Sequence, residues 1–174
     1  MIRFPDRRLL PAPLLLLFLV PLNIYVIGDW IGTGVQWALF RYQDTSYGAS
    51  FITLDREIWY ITSGLITGKS AVSISLWVAG AVLLAISFIA LAVLVAERMD
   101  EHIQIPGLMV IVSGILLLLS SIVQYGPLLF GPAGFSVPVG IPLVWVVGWL
   151  ISLQDKMEQK EEGEEEGEDG FSDE

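Results

Sequence analysis

Four long apolar stretches dominate the pattern of hydrophobic and polar positions along the chain. They cover residues 9 to 28, 71 to 96, 107 to 130 and 136 to 153, and none of them contains Asp, Glu, Lys, Arg or His. A stretch of about 20 apolar residues is long enough to cross a hydrocarbon core of about 30 Å as a helix. The pattern therefore predicts an all-α membrane protein, in which residues 1 to 154 form a bundle of four transmembrane helices.

Prolines and glycines indicate where these helices begin, bend and end. Pro21 falls inside the first stretch and predicts a kink there. Gly126 and Pro127 predict an early end of the third helix, and Pro138 and Pro142 push the regular part of the fourth towards its C-terminal half. The first stretch has an alternative interpretation as a secretory signal peptide, but no Ala-x-Ala cleavage pattern follows it, which favours a retained span.

An aromatic-rich loop, residues 29 to 70, separates the first two stretches. It holds three of the six tryptophans and three of the five tyrosines, side chains that favour the headgroup zone of a bilayer. Within it, "GVQWALFRYQ" is compatible with a short interfacial helix or with a strand. Further on, the spacing of Ile58, Ile61, Thr62 and Leu65 predicts the apolar face of a helix of about two turns, capped by Asp55.

The charged triplet Asp55-Arg56-Glu57 invites comparison with an active site. Each member has a local structural explanation: Asp55 as the cap, Arg56 as a surface cation, and Glu57 as a carboxylate favoured by the helix dipole. The three do not share a helical face, so they are poorly placed to converge on one substrate. We predict no catalytic, cofactor-binding or metal-binding residues, and no cofactor. The chain has no cysteine, and His102 is its only histidine, too few for a multi-histidine metal site.

The predicted spans contain hydroxyl-bearing side chains and regularly spaced small side chains. For the motif Ser120-Ser121-x-x-Gln124-Tyr125, packing between helices is favoured, with a polar ligand site as the alternative. Small residues four apart on the second span also form faces that another helix can approach, in the same chain, a second copy or another membrane protein. These pairs are Ser75 with Ala79, Ala81 with Ala85, and Ala92 with Ala96.

Composition and charge agree with a membrane protein that has an acidic soluble end. Hydrophobic residues make up 54% of the 174 residues and charged residues 16%, against about 25% charged in soluble domains. The pI of about 4.4 argues against a nucleic-acid partner. Eleven of the 19 acidic residues lie in residues 155 to 174. This composition predicts a disordered tail, which either docks a basic partner or only keeps that end solvated.

The distribution of Arg and Lys predicts the orientation. Four spans place both termini on one side, and most of the basic residues outside the spans share that side, so the termini are expected in the cytoplasm of a multi-pass cell-membrane protein.

Four segments resemble an uncharacterised family of short four-pass membrane proteins of salt-adapted archaea. They are "LVPLNIYVIGD", "EIWYITSGL", "ISLWVAGAVLLA" and "VPVGIPLVWVVGW". The resemblance implies an archaeal, halophilic membrane protein, and it implies no reaction, cofactor or ligand.

Taken together, these features predict an integral membrane protein that is not an enzyme. The favoured function is a non-catalytic scaffold or accessory subunit, with the lipid bilayer and either another membrane protein or a second copy of the chain as expected partners. The alternative is a component of a small-solute or ion transporter or channel that acts as an oligomer, with serine and glutamine side chains lining its pore.

Overall fold

The chain folds into a mixture of helices and strands in a computed structural model that describes residues 11–97 and 103–153. The helices are α1 Pro11–Leu16, α2 Leu54–Thr62, α3 Gly68–Glu97, α4 Gln104–Tyr125 and α5 Ile141–Leu153. The strands are β1 Asn23–Ile27, β2 Gly32–Gln36, β3 Phe40–Thr45, β4 Gly48–Thr53, β5 Phe130–Gly131 and β6 Gly134–Val137. The prediction of an all-α bundle is wrong, because six strands form one antiparallel sheet. His102 and the predicted acidic tail lie outside the described residues.

Two of the described helices, α3 and α4, are long and apolar enough to cross a membrane. The helix predicted over residues 71 to 96 is confirmed, and α4 ends at Gly126 as predicted, where φ is 100°. By contrast, α5 is an apolar helix that covers only Ile141–Leu153. It is therefore shorter than the about 20 residues that a helix needs to cross a membrane. The four-span, multi-pass architecture is therefore wrong, and the cytoplasmic placement of both termini loses its basis.

The first predicted span divides into a short helix and a strand. After α1, the amides of Leu17 and Leu19 bond to carbonyls three residues back, which continues a tighter helical turn as far as Val20. Pro21 then ends it, because proline has no N–H group and disfavours a helical conformation in the residue before it. The next residues, "NIYVI" of β1, are mostly β-branched or aromatic and fit a strand.

Helices α3 and α4 form an antiparallel hairpin that is closed by small and hydroxyl side chains, here called the seam. Three groups of hydrogen bonds cross it. Ser73 and Ser120 each donate to the other's carbonyl at 2.8 Å. Ser113 Oγ donates to the Gly80 carbonyl at 2.8 Å, and Ser87 Oγ to the Pro106 carbonyl at 2.7 Å. Successive groups are seven residues apart on each helix, the repeat expected when two helices pack along one stripe.

The small-residue face that α3 uses within the chain agrees with the predicted pairs only at Ala81. Its buried residues include Ser73, Gly80, Ala81 and Ser87, whereas Ser75 and Ala79 are exposed. At Gly80, an added Cβ would lie 3.0 Å from Leu117 Cγ, so the absence of a side chain lets the helices approach closely.

Part of the apolar surface of the hairpin is uncovered. In the most apolar 18-residue windows, 28% of α3 and 44% of α4 is buried, and the exposed apolar side chains include Ile86 and Ile89 on α3 and Leu108 and Ile115 on α4. Helices that are apolar on all sides and leave such side chains uncovered have a more favourable environment in lipid than in water. Two helices could thus span a membrane, and the fold is compatible with membrane association.

The sheet, with strand order β4-β3-β2-β1-β6-β5, has its polar face turned inward. In an antiparallel sheet with one covered face, that face is normally apolar. Here the covered face carries polar side chains from four strands: Asn23, Tyr25, Gln36, Arg41, Gln43 and Ser136. The uncovered face carries mostly apolar ones, with Ile24, Tyr42, Phe51, Phe130 and Val137 all exposed, next to the polar Thr33 and Asp44. The sheet is attached to the hairpin in part by Trp77, whose Nε1 donates to the Trp37 carbonyl at 3.1 Å.

Candidate ligand-binding cavity

A cavity of about 430 Å³ lies between the polar face of the sheet and the end of the hairpin where α3 begins and α4 ends. This volume falls in the range of small-molecule sites. The polar side chains come from three sides. The sheet supplies Tyr25, Gln36 and Arg41, the start of α3 supplies Ser70 and Ser73, and the end of α4 supplies Ser121, Gln124 and Tyr125.

The register of the strands brings the polar side chains of the sheet together. Gln36 and Arg41 are directly opposite each other on β2 and β3. Tyr25 is opposite Gly34, and its ring covers the space that a side chain at Gly34 would occupy. The Tyr25 hydroxyl then lies 3.4 Å from Gln43 Oε1 on β3. Burial is the main cause that raises the pKa of Tyr25, so its hydroxyl stays protonated and can donate.

The strongest charges near the cavity form a buried ion pair between Arg41 and Glu57. Arg41 Nη2 lies 2.5 Å from Glu57 Oε1, and the Glu57 side chain is fully buried. Apart from this contact, neither carboxylate oxygen of Glu57 nor Arg41 Nε has a hydrogen-bond partner among the described residues. Burial raises the pKa of Glu57, and the charge of Arg41 partly opposes that rise. Arg41 lines the cavity, whereas Glu57 does not.

The structure changes the roles predicted for the charged triplet. Helix α2 begins at Leu54, its N-cap is Thr53 without a side-chain capping bond, and Asp55 is exposed. Capping by Asp55 is therefore wrong, although a hydrogen bond from the Thr53 side chain lowers the pKa of Asp55. Glu57 does lie in the first turn, as predicted, but it is buried against a cation sixteen positions earlier.

The inward face of α2 also differs from the prediction. Leu54 and Ile61 pack against the core and Glu57 lies between them, whereas Ile58 and Leu65 are 43% and 65% exposed. Helix α2 is thus turned about its axis so that Glu57 points inward. The positive charge of Arg41 offsets the cost of burying this carboxylate.

The motif from Ser120 to Tyr125 serves both packing and the cavity. Ser120 bonds across the seam to Ser73, which confirms helix packing for this residue. Ser121, Gln124 and Tyr125 lie on the cavity wall together with Ser120, and the polar ligand site predicted as the alternative stays a hypothesis. Arg41 was missed by the sequence analysis. The alternation in "FRYQDT" could have placed Arg41 and Gln43 on one face of a strand.

The chemistry of the wall is that of a hydrogen-bond donor site. Its polar groups are hydroxyls, amides and one guanidinium. Within residues 11–97 and 103–153, no group of three or more His, Cys, Asp or Glu side chains is arranged to hold a metal ion. The wall can therefore orient a polar molecule and donate to its oxygen atoms.

The fold and the cavity define a class of protein: an α/β chain with an apolar helical hairpin suited to lipid and a polar cavity at one end of it. No protein-family model and no curated protein sequence matches the chain. The resemblance to the uncharacterised archaeal family therefore stays a prediction, and nothing in these comparisons supports an archaeal or salt-adapted origin.

Proposed function

We propose that this chain is a membrane-embedded, non-catalytic protein that binds a small polar ligand in the cavity between the sheet and the hairpin. The observation that carries the proposal is the inverted sheet, whose polar face is turned towards the polar end of the hairpin around a volume of about 430 Å³. Enclosing polar groups costs free energy unless they find partners. A bound polar molecule would supply those partners.

The residues around the cavity support a location of the cavity at the membrane surface. The hairpin is apolar and leaves apolar side chains of both helices uncovered, so lipid is its favoured environment. Near the sheet end of the hairpin, Trp59 is 57% exposed, and its ring lies 5.5 Å from that of Tyr60. Tryptophan and tyrosine are enriched where membrane proteins meet the headgroups.

The composition of the wall supports binding without catalysis. Among the described residues that line the cavity there is no carboxylate and no imidazole, the groups that most often transfer protons in enzymes. Asp55 is exposed, and Glu57 is held by Arg41 away from the cavity.

The scaffold and transport functions predicted from the sequence remain proposals. The scaffold hypothesis relied on small-residue pairs of α3, of which Ala81 is buried within the chain, whereas Ser75 and Ala79 are exposed. The transport hypothesis is favoured by Ser121 and Gln124 on the wall. In a single chain, however, Trp77 lines the cavity, and beyond it Gly80 and Leu117 pack closely in the seam. This geometry favours binding over conduction.

Ligand-dependent thermal unfolding of the detergent-purified protein tests the proposal. The probes are glycerol 1-phosphate, citrate and the neutral sugar sucrose. Ser70→Trp fills the cavity from the start of α3, and Ser75→Trp adds the same side chain to the exposed side of that helix. We expect at least one probe to raise the Tm of the wild type and of Ser75→Trp, but not that of Ser70→Trp. No shift with any probe, or equal shifts in both variants, would contradict the proposal.

A further inference from the structure

The cavity wall has an uneven distribution of charge. Arg41 is the only charged side chain among the described residues that line it. The other polar groups include the hydroxyls of Tyr25, Ser70, Ser121 and Tyr125, which can all donate hydrogen bonds. A site with one cation, several neutral donors and no carboxylate on its wall suits a ligand that carries anionic oxygen atoms.

Glu57 contacts the Arg41 guanidinium but does not itself line the cavity. Its fully buried carboxylate contacts one guanidinium nitrogen, Nη2. A guanidinium has five N–H donors in a fixed planar fork, so this pair leaves donors of Arg41 for a second acceptor. The buried carboxylate also offsets the positive charge that an anion would meet, and it thereby limits the affinity.

Donors approach the cavity from three directions: Arg41 and Tyr25 from the sheet, Ser70 from α3, and Gln124 from α4. A carboxylate presents two oxygen atoms in one plane, whereas a phosphate presents oxygen atoms tetrahedrally and can be met from several sides. We propose that the cavity binds a phosphate group through Arg41, and that Glu57 tunes the strength of this interaction. This inference rests on the proposed function, since it names the class of ligand for the same cavity.

The phosphate could belong to a lipid headgroup or to a soluble molecule, and two probes separate these sources. Glycerol 1-phosphate represents the soluble group, and dioctanoylphosphatidylglycerol represents the lipid. Each is titrated into the full-length, detergent-purified protein by isothermal calorimetry. Binding of the lipid alone assigns the site to a headgroup. Binding of both probes shows that the phosphate group is sufficient. Either result supports the proposal.

Variants of the ion pair test the roles of Arg41 and Glu57. Glu57→Gln removes the opposing charge, and we expect it to tighten phosphate binding about tenfold, the scale of one added charge-assisted hydrogen bond. The double variant Arg41→Gln/Glu57→Gln keeps two polar side chains in contact without buried charge, and it should weaken binding below the wild type. Asp55→Asn and Arg56→Gln are the matched controls, because they make the same charge changes on the exposed side of α2, and they should leave affinity within about twofold.

Failure of this inference differs from failure of the proposed function. If sucrose or citrate binds in a way that Ser70→Trp blocks, but neither phosphate probe binds, the cavity is a ligand site and the phosphate assignment is wrong. Phosphate binding that Glu57→Gln leaves unchanged, or that the exposed controls alter equally, would also overturn the roles given to Arg41 and Glu57.

Discussion

The seam of the hairpin and the cavity beside the sheet both contain buried polar side chains, but these side chains differ in whether they have hydrogen-bond partners. In the seam, Ser87, Ser113 and Ser120 each donate to a carbonyl of the facing helix at 2.7 to 2.8 Å. On the cavity wall, the buried Nε of Arg41 has no partner among the described residues, and on the same face of the sheet, outside the wall, neither do Asn23 Oδ1 and Ser136 Oγ. The serine hydroxyls of the seam are hydrogen-bonded within the chain, whereas these polar atoms on the inward face of the sheet are not.

This difference separates structural polar groups from candidate functional ones. A paired serine in a membrane helix contributes modestly to packing, and it needs no further explanation. Buried polar atoms without partners are uncommon in folded proteins, and each requires an explanation such as strain, catalysis or a bound molecule. The comparison therefore supports a structural role for the seam and agrees with the ligand-binding function proposed for the sheet end of the hairpin.

The largest expected effect comes from breaking the ion pair on the cavity side. Arg41→Gln leaves the fully buried Glu57 carboxylate without its cation, and we expect a loss of about 3 kcal/mol in the free energy of unfolding near neutral pH. The double variant Arg41→Gln/Glu57→Gln should recover most of this loss. Denaturation in detergent measures both. Equal losses in the single and double variants would show that the pair does not stabilise the fold as described.

A somewhat smaller effect is expected from separating the helices at the seam. Gly80→Leu introduces a side chain whose Cβ alone would lie 3.0 Å from Leu117 Cγ and 3.2 Å from the Ser113 carbonyl oxygen. Overpacking of this kind costs about 2 kcal/mol. Ala79→Leu, one residue away on the exposed side, is the control and should cost little. A stable Gly80→Leu variant would contradict the close approach of α3 and α4.

The pH dependence of stability distinguishes Glu57 from Asp55. Because burial raises the pKa of Glu57 above 4.5, the folded state holds its proton more tightly than the unfolded state. Its contribution to stability is present below pH 4.5 and is lost as the pH rises through the folded-state pKa. For Asp55, whose pKa is lowered from 3.8, the contribution is present above that value and is lost as the pH falls.

Unfolding of the wild type, Glu57→Gln and Asp55→Asn across this range measures both contributions. We expect Glu57→Gln to gain stability relative to the wild type as the pH rises, and Asp55→Asn to show the opposite trend. Parallel curves for the two variants would mean that burial does not distinguish the two carboxyl groups.

The smallest effect is expected from one serine of the seam. Ser113→Ala removes the hydrogen bond to the Gly80 carbonyl, and such bonds between membrane helices contribute about 0.6 kcal/mol each. Ser75→Ala is the matched control, since Ser75 Oγ donates to the Ala71 carbonyl of its own helix. A loss several times larger for Ser113→Ala would indicate that the seam serines do more than assist packing.

Local residue patterns were sufficient to predict parts of the hairpin. The uncharged run of α3 is too long for a strand, and Gly126 ends α4 where a glycine followed by proline predicts an end. The start of α5 beyond Pro138 follows from the same chemistry. These features depend on residues that are close in sequence, so they can be predicted from the sequence alone.

The sheet could not be predicted in the same way. β1 is mostly apolar, and such a run does not distinguish a strand from part of a membrane helix. In β3, the exposed Tyr42 alternates with the inward Arg41 and Gln43, which inverts the usual relation between polarity and exposure. For this reason the exposed aromatic residues of this region predict a membrane-surface loop, whereas Tyr42 and Phe51 lie on strands of the sheet.

The candidate site was predictable only on the helix side. Ser121, Gln124 and Tyr125 stand out because polar residues are rare in an apolar helix. The pairing of Arg41 with Glu57 depends on the fold, since it joins a strand to a helix through the register of the sheet. The spacing of residues along the chain does not predict a contact of this kind.

Water accessibility along α4 tests the central claim most directly, namely that the hairpin lies in lipid with a dry seam and a hydrated cavity at one end. The chain has no cysteine, so single cysteines can be introduced without background and labelled in nanodiscs with a charged, water-soluble thiol reagent. Gln124→Cys lies on the cavity wall, Ser113→Cys in the seam, and Ile115→Cys on the exposed apolar side of the helix. We expect rapid labelling of Gln124→Cys and little labelling of the other two. Labelling of Ile115→Cys as fast as that of Gln124→Cys, or protection of Gln124→Cys, would contradict the account.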